Sequence, residues 1–403
     1  MKILQLCHKI PFPLHDGGAV SLYYTALGLV YQGVELKVLA IDTPKSPVDI
    51  NGIPSGFREK TGFECAAADT RVDLFGAMVN LFSNQSYFVE RFFSTEYRDA
   101  LTSVLKNEDF DIVQLEHLYL GLYLETIRKH SRARIVLRPQ NVENQVWRSY
   151  LDRTVNPLKK LYLQMAVSRL ENFERQVSEK VDGIIAISGN DAGTFSRYAL
   201  STPCITVPIG YDFGTLSAFS FDNQYDHFPV FYHLGSMDWL PNVQGIKWFI
   251  EKVMPRVLED YPGFRFRVGG KKMPGWFFRH QDRHLIVDGE VPDALLYHRD
   301  KSVMIVPLLS GGGLRAKIVE AMMLGKTVIS TSTGAAGIPC RDQENILIAD
   351  TPEEFVNQII KCRDSEALCR KIGSSARLLA TEHYDCRKTA RQMIRFYREL
   401  MVV

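Results

Sequence analysis

The sequence predicts an α/β protein built from two successive open sheets of mostly parallel strands. Three observations carry that expectation. Short apolar runs alternate with helix-spaced segments along most of the chain. The alternation lapses once, over residues 213–229, and then restarts. The final stretch, 352–401, is helical in pattern and has no strand signal.

The first unit opens with an apolar run at 3–7. It passes through Pro11, Phe12 and Pro13 into Asp16, Gly17 and Gly18. Val20, Tyr23, Tyr24, Leu27 and Val30 then recur at helix spacing over 19–32, and Gly33 is placed to end that helix. Residues 34–41 read as a strand, which completes a βαβ unit, the seed of a parallel sheet. Further strands are expected at 111–115, 134–137, 183–187 and 205–208. Helical segments are expected at 118–129 and 157–180, and Ser188 has the character of an N-cap. Between 213 and 229, Ser, Asp, Asn, Gln and Gly are frequent and no period is sustained, as in an interdomain linker. Strands follow at 230–234, 264–268, 285–287, 303–307 and 327–330, with helices at 243–258 and 314–324.

A chain of 403 residues fits two domains, each long enough to bury its own core. Apolar residues make up 46% and charged residues 23%, the balance of an ordinary globular protein. The net charge of +2 leaves no basic footprint for nucleic acid. The seven cysteines are odd in number and form no CxxC pair, so free thiols in a reducing cytosol are expected, with neither a disulfide framework nor a zinc site. The first apolar run is too short for a signal peptide, and no stretch reaches the roughly 18 apolar residues of a membrane span. A cytoplasmic protein is expected; contact with a membrane surface stays open.

Open α/β sheets bind ligands beyond the carboxyl ends of their strands, near helix N-termini. The strongest candidate there is the segment 306–323. Gly311, Gly312 and Gly313 free the backbone for close approach to a ligand. The helix behind them offers unpaired N–H groups and a positive dipole end, which suits a phosphate. Arg315 and Lys317 fall in the first turn or two, where cations oppose the dipole, and an anion in front of them would resolve that conflict. Glu320, one turn deeper, is placed to accept hydrogen bonds from ribose hydroxyls. The plainer reading is a flexible loop and solvated helix charges. A second candidate is Gly17-Gly18, with N–H groups facing a substrate or the donor phosphate; its plainer reading is a tight βα turn. A third is His117 at the end of a predicted strand, aimed into the cleft mouth, with Glu116 beside it to raise its pKa or fix its orientation; its plainer reading is a structural histidine. The polar run from Arg138 to Glu143 converges on the same edge.

These residues resemble the glycosyltransferase family 4 group of the GT-B fold, and the resemblance runs the length of the chain. Arg138-Pro139-Gln140-Asn141-Val142-Glu143 is similar to the family's Arg-x-His-Asn-Val-Glu, with Gln140 in the histidine's place. Val207–Asp212 resembles its Val-Ile-Pro-Asn-Gly-Val-Asp, with Ile209 where Asn is usual. Gly235–Asn242, Val268-Gly269-Gly270 and Thr333–Gly337 also match, and Gly289-Glu290 looks like the loop after the base-binding strand. The family carries two glutamates separated by seven residues; Glu320 fits the second, and the first falls at Gly312.

The resemblance implies two Rossmann-like domains with parallel sheets facing across a cleft, and C-terminal helices crossing back to the N-terminal domain. It places the acceptor on 1–213, the linker at 214–229, the nucleotide sugar on 230–384 and a returning helix at 385–403. It implies a retaining, metal-independent transfer from a nucleoside-diphosphate sugar to a glycan or lipid-linked acceptor in bacterial surface-polysaccharide assembly. No cofactor or metal is expected beyond that co-substrate. Arg315 and Lys317 would neutralise the diphosphate and His117 would serve at the reacting sugar. Gly17, Gly18, Gly311, Gly312, Gly313, Glu320 and Glu290 would bind the donor. Two rivals remain: a sugar-nucleotide 2-epimerase, and a non-catalytic nucleotide-sugar-binding scaffold, which the missing carboxylate at Gly312 favours.

Overall fold

The computed structural model describes residues 1–14, 17–44, 52–71, 80, 86–152, 154–214, 227–311 and 314–402. The chain divides into two compact units, one of Met1–Asp212 with Cys386–Val403 and one of Phe213–Asp385. Residues 215–226, most of the stretch expected as a linker, lie outside the described residues.

The first unit holds a seven-stranded sheet: β1 (Lys2–Cys7), β2 (Glu35–Asp42), β3 (Glu64–Ala67), β4 (Ile112–Leu115), β5 (Arg134–Leu137), β6 (Gly183–Ala186) and β7 (Cys204–Thr206). Their order is β3-β2-β1-β4-β5-β6-β7, and each pairing is parallel. β1, β4, β5 and β6 are almost wholly buried, which is why they read as continuous apolar runs rather than alternating ones. The strand order reverses at β1: the chain first moves outward to β2 and β3, then returns to place β4 on the other side.

The second unit repeats this with six parallel strands: β8 (Phe231–Leu234), β9 (Phe266–Gly269), β10 (Leu285–Gly289), β11 (Val303–Val306), β12 (Thr327–Ser330) and β13 (Leu347–Ile348). The order is β10-β9-β8-β11-β12-β13, so the reversal falls at β8. The expected two-sheet α/β architecture is the observed one. β3 and β13 were not anticipated; both are short edge strands, and β3 buries little of its length. The expected helix at 118–129 is split, with a 3₁₀ turn at Leu118–Tyr123 before the α-helix Leu124–His130.

Six helices matter below: α1 (Gly17–Tyr31), α2 (Glu143–Asp152), α3 (Pro157–Lys180), α4 (Leu240–Trp248), α5 (Ala316–Met323) and α6 (Cys386–Val402). The last returns to the first unit. Its Ala390, Met393, Phe396, Tyr397 and Leu400 join a core with Ile3, Cys7, Leu22, Leu29, Ile112 and Ile185. Its start is tied down by Cys386 N–H donating to Tyr211 O at 2.8 Å and by Arg387 pairing with Asp212 at 2.8 Å. Gly28 of α1 permits the close approach, because a Cβ there would stand 2.4 Å from the carbonyl oxygen of Cys386.

Substituting Gly28→Ala therefore forces α1 and α6 apart. The expected cost is about 1–3 kcal/mol of overpacking, read as a lower midpoint in thermal or urea unfolding. An unchanged midpoint would mean that α6 adjusts freely on α1.

Candidate functional site

Each parallel sheet gathers the loops at its carboxyl edge, and the crevice beside the strand where the order reverses is the usual ligand site. In the second unit that strand is β8. Its third residue, His233, is fully buried and bonds through Nδ1 to the carbonyl oxygen of Ile305 on β11 at 2.8 Å. That bond requires the proton on Nδ1 and leaves Nε2 as an acceptor. Burial holds the ring well below the usual histidine pKa, with the Lys317 charge adding to the effect, so it is neutral.

Nε2 of His233 faces Nζ of Lys317 at 3.3 Å. The same ammonium donates to Oδ1 of Asn242, at the start of α4, at 2.5 Å. Asn242 is oriented by its own amide N–H, which donates to Ser236 O at 2.7 Å. The Lys317 ammonium is thus held by two neutral acceptors. Although part of the residue reaches solvent, surrounding protein desolvates the charge. Burial first, then the neighbouring Arg315 guanidinium, pushes the Lys317 pKa down to about 7, against the opposing field of Glu320.

Arg315 does not sit inside the helix, as the sequence suggested; it is the N-cap residue of α5, with φ −86° and ψ 87°. Its guanidinium lies over the Trp239 ring, 5.1 Å from the centroid, and is almost wholly buried. A cation on an indole face gains quadrupole attraction while losing water. Gly311 is in the left-handed region at φ +124°, and a Cβ there would be 3.0 Å from both Arg315 Nη2 and the Trp239 ring. Gly270 is as constrained: a Cβ would fall 1.8 Å from the Gly235 carbonyl oxygen, so the loops after β8 and β9 meet backbone to backbone. Gly312 and Gly313 lie outside the described residues. Glu320 belongs to the cluster through its field on Lys317. Glu290 stands exposed after β10, two strands away from β8.

In the first unit the order reverses at β1, beside β4. Gly17 and Gly18 are the first two residues of α1, behind β1. His8 follows β1, His117 follows β4, and their rings lie 4.2 Å apart. Nδ1 of His117 accepts from the Tyr119 backbone N–H at 3.3 Å, which puts the ring proton on Nε2, 3.3 Å from Oε1 of Glu143. Tyr119 O–H donates to the other oxygen of Glu143 at 2.9 Å. Burial alone would raise the Glu143 pKa; the attraction of His117 and hydrogen bonds from His117, Tyr119 and Asn141 outweigh it and leave the pKa lowered.

The expected partnership of Glu116 with His117 is not what forms. Glu116 points into the core, where it accepts from Gln5 at 2.8 Å, from Gln114, and from Arg138 at 3.1 Å. Both Glu116 and Arg138 are fully buried, so Arg138 does not join the polar edge expected for 138–143. The physical reason is the period of an extended chain: neighbouring residues face opposite ways, and His117 has φ −164° and ψ 150°. Glu143, from the polar run expected at this edge, is the residue that meets His117, while His8, His233, Asn242 and Trp239 were given no role from the sequence. The available signal was a polar residue inside an otherwise apolar strand (His233) and a histidine at the end of β1 (His8).

Residues 228–365 match the family model described as glycosyl transferases group 1. Part of the second unit is thus a glycosyl transferases group 1 domain. The Arg315–Lys317 cluster lies inside the matched segment, and the His8, His117 and Glu143 group lies outside it. A Klebsiella pneumoniae protein described as an uncharacterized 44.6 kDa protein in the cps region is 22% identical over 304 residues, covering 72% of this chain and 75% of that protein. The fold is shared with sucrose-phosphate synthase from Thermosynechococcus elongatus, at a TM-score of 0.71 and 15% identity over 100% of both chains. It is also shared with Anabaena HepE in complex with UDP, at a TM-score of 0.64 and 13% identity, covering 99% of this chain and 100% of that one. An S. aureus TarM variant in complex with fondaparinux, alpha-GlcNAc-glycerol and UDP gives 0.62 at 11% identity, covering 98% and 99%. The glycosyltransferase is thus a two-sheet GT-B protein. Among its described residues no helix is long and apolar enough to cross a membrane.

The Lys317 ammonium of this glycosyltransferase should lose its proton near pH 7 in the ligand-free protein. An NMR titration of the lysine side chains, with the signal assigned by its absence in Lys317→Arg, measures the midpoint. Replacing His233 by Phe removes one acceptor and should move that midpoint lower. A midpoint near the ordinary lysine value would contradict the desolvated arrangement.

Proposed function

We propose that this glycosyltransferase moves a sugar from a nucleoside-diphosphate sugar to a glycan or lipid-linked acceptor, retains the anomeric configuration and uses no metal. The observation that carries the reading is the pair of desolvated cations, Arg315 and Lys317, at the start of α5 and beside the reversal at β8. Two side-chain cations and a helix N-terminus meet the charge of a diphosphate, which is the work a divalent ion otherwise does. Glu320 binds the ribose. The Gly311 segment brings backbone amides to the phosphates, and Glu290 lies toward the base.

As the bond between the sugar's anomeric carbon and the phosphate oxygen breaks, negative charge grows on the departing nucleoside diphosphate. Arg315 and Lys317 stabilise that charge most where it is largest, in the transition state. The acceptor hydroxyl oxygen bonds to the anomeric carbon from the same face, and its proton passes to the departing phosphate oxygen. His117, held by Glu143, positions the reacting sugar. The group 1 match supports the reaction class, and the likeness to a protein of a cps region supports a place in bacterial surface-polysaccharide assembly. Such a protein works in the cytoplasm, at the inner face of the membrane when its acceptor is lipid-linked. A second reading, a non-catalytic scaffold that binds nucleotide sugar, draws on Gly312 in place of a carboxylate.

Calorimetry with UDP and GDP in the presence of EDTA tests the site. The Arg315→Ala, Lys317→Ala double variant should lose about 100-fold or more in affinity, given the strength of charged hydrogen bonds; an unchanged affinity overturns the assignment. The proton matters as well. A diphosphate binds the ammonium form, whose pKa in the free protein is about 7. Wild-type affinity should then fall by up to about tenfold per pH unit above 7, whereas Lys317→Arg should flatten the profile. A panel of sugar nucleotides with and without acceptor, read by released nucleoside diphosphate and by the anomeric coupling of the product, separates the transferase from the scaffold. A new sugar nucleotide formed from donor alone would identify an epimerase instead.

A further inference from the structure

Helices α2 and α3 form an antiparallel hairpin. Asn144 meets Glu174 and Arg148 meets Glu171, so the two helices run in opposite directions. One face of α3 is ordinary core: Leu163, Ala166, Val167 and Leu170 are buried. A different stripe is not. Leu158 is 81% exposed and Leu161 69% exposed, three residues apart, with Val155 at the bend 94% exposed. Tyr150 of α2 adds to the same end. Four of the fifteen large apolar side chains exposed among the described residues thus fall within 150–161. Scattered exposed apolar residues are normal, but a cluster of this kind at one tip marks an interaction surface.

The charge around the tip selects the partner. Residues 150–161 contain Arg153, Lys159 and Lys160 against one carboxylate, Asp152. Lys159 lies against Tyr150, donating to its hydroxyl at 2.9 Å with the ammonium 5.2 Å from the ring centre. Lys160 is exposed, and among the described residues neither lysine has a carboxylate within ion-pair distance. Lysines flanking exposed leucines match an anionic bilayer, where the apolar side chains enter the acyl boundary and the ammonium groups stay with the phosphates.

We infer that the tip of the α2–α3 hairpin, Val155, Leu158 and Leu161 with Lys159 and Lys160, docks the enzyme on an anionic lipid surface. The root of the hairpin gives this docking a consequence. Glu143, the first residue of α2, holds His117, and Glu174 of α3 accepts from the Glu143 and Asn144 backbone N–H groups. The element that meets the bilayer is therefore the element that fixes the His117 side chain. The inference deepens the reading of a lipid-linked acceptor, yet it is testable without donor or acceptor, so either can fail alone.

The experiment is co-sedimentation of the full chain with phosphatidylglycerol-containing vesicles and with pure phosphatidylcholine vesicles, at low and high salt. The wild type should bind the anionic vesicles and bind less at high salt. Lys159→Glu with Lys160→Glu should lower partitioning by about tenfold or more, and Leu158→Ser with Leu161→Ser should do the same, while UDP affinity stays as in the wild type. If the serine variant is poorly folded, Leu158→Trp supplies an independent reading: its emission should shift to the blue on adding anionic vesicles. Failure of the wild type to bind anionic vesicles overturns the proposal, as does wild-type partitioning by both folded variants. So does a micromolar dimer, seen by sedimentation velocity, that the serine substitutions convert to monomer while vesicle binding persists, because the tip is then covered by a second copy.

Discussion

Parallel pairing is the constraint on which everything else rests. When every strand of a sheet runs the same way, each strand's following loop emerges at one edge, and helices must cover both faces to return the chain. In both units the strand order reverses, at β1 and at β8, and at those points two loops diverge rather than pack side by side. His8 and His117 stand at one reversal; His233 and Lys317 stand at the other. The chemistry of the sites follows from that placement. The residue one position earlier on β8, Tyr232, faces the opposite side of the sheet, where its hydroxyl bonds to His298 at 2.5 Å.

Beneath the first reversal lies a polar core that apolar packing alone would not require. Glu116 and Arg138 form a fully buried pair, joined by Gln5, Gln114 and Ser21, and Tyr397 of α6 donates to Gln114. Burial raises the Glu116 pKa, and Arg138 opposes that rise. Such a pair adds little net stability over a hydrophobic one, but losing one partner strands a buried charge at a cost of about 3–5 kcal/mol. Its value is registry: β1, β4, β5, α1 and α6 must all be in place before its hydrogen bonds close. The next carboxylate along that edge, Glu174, shows the same economy of placement. Burial lifts its pKa to about 7, and it occupies the N-terminus of α2, where its acceptor oxygens meet otherwise unpaired backbone N–H groups.

The fold was legible because buried parallel strands leave unbroken apolar runs between helix-spaced segments. The runs at 3–7, 111–115, 134–137 and 303–307 all became central strands. β3 and β13 escaped because an edge strand of four or two residues has too little buried length to leave a pattern. The cation pair was legible because local physics is violated there: Arg315 and Lys317 near a helix start oppose the dipole. Their surroundings were not, since Lys317 meets Asn242 and His233 at separations of 75 and 84 residues. Glu116 was misread because sequence adjacency suggests proximity, whereas an extended backbone turns adjacent side chains apart. Glu143, 26 positions from His117, takes that place instead.

If the Arg315–Lys317 cluster holds a diphosphate, as proposed, its neutral partners have a physical reason. A carboxylate beside Lys317 would fix its charge but would also repel a diphosphate and leave the ammonium already satisfied. Asn242 and His233 orient the ammonium without neutralising it. The cost appears as the depressed pKa, because burial and the Arg315 guanidinium both work against the proton. An incoming dianion reverses both effects at once: it supplies the counter-charge and raises the proton's affinity for Nζ. Part of the positive charge therefore arrives with the anion rather than being stored in the empty site. A buried second cation that had to remain fully ionised would tax the stability of the empty domain, and an arginine in the place of Lys317 would impose that tax because its guanidinium does not give up its proton. The choice of lysine at 317 next to arginine at 315 is, on this reasoning, a division of labour: one permanent charge resting on Trp239, and one that is completed when the phosphate is present.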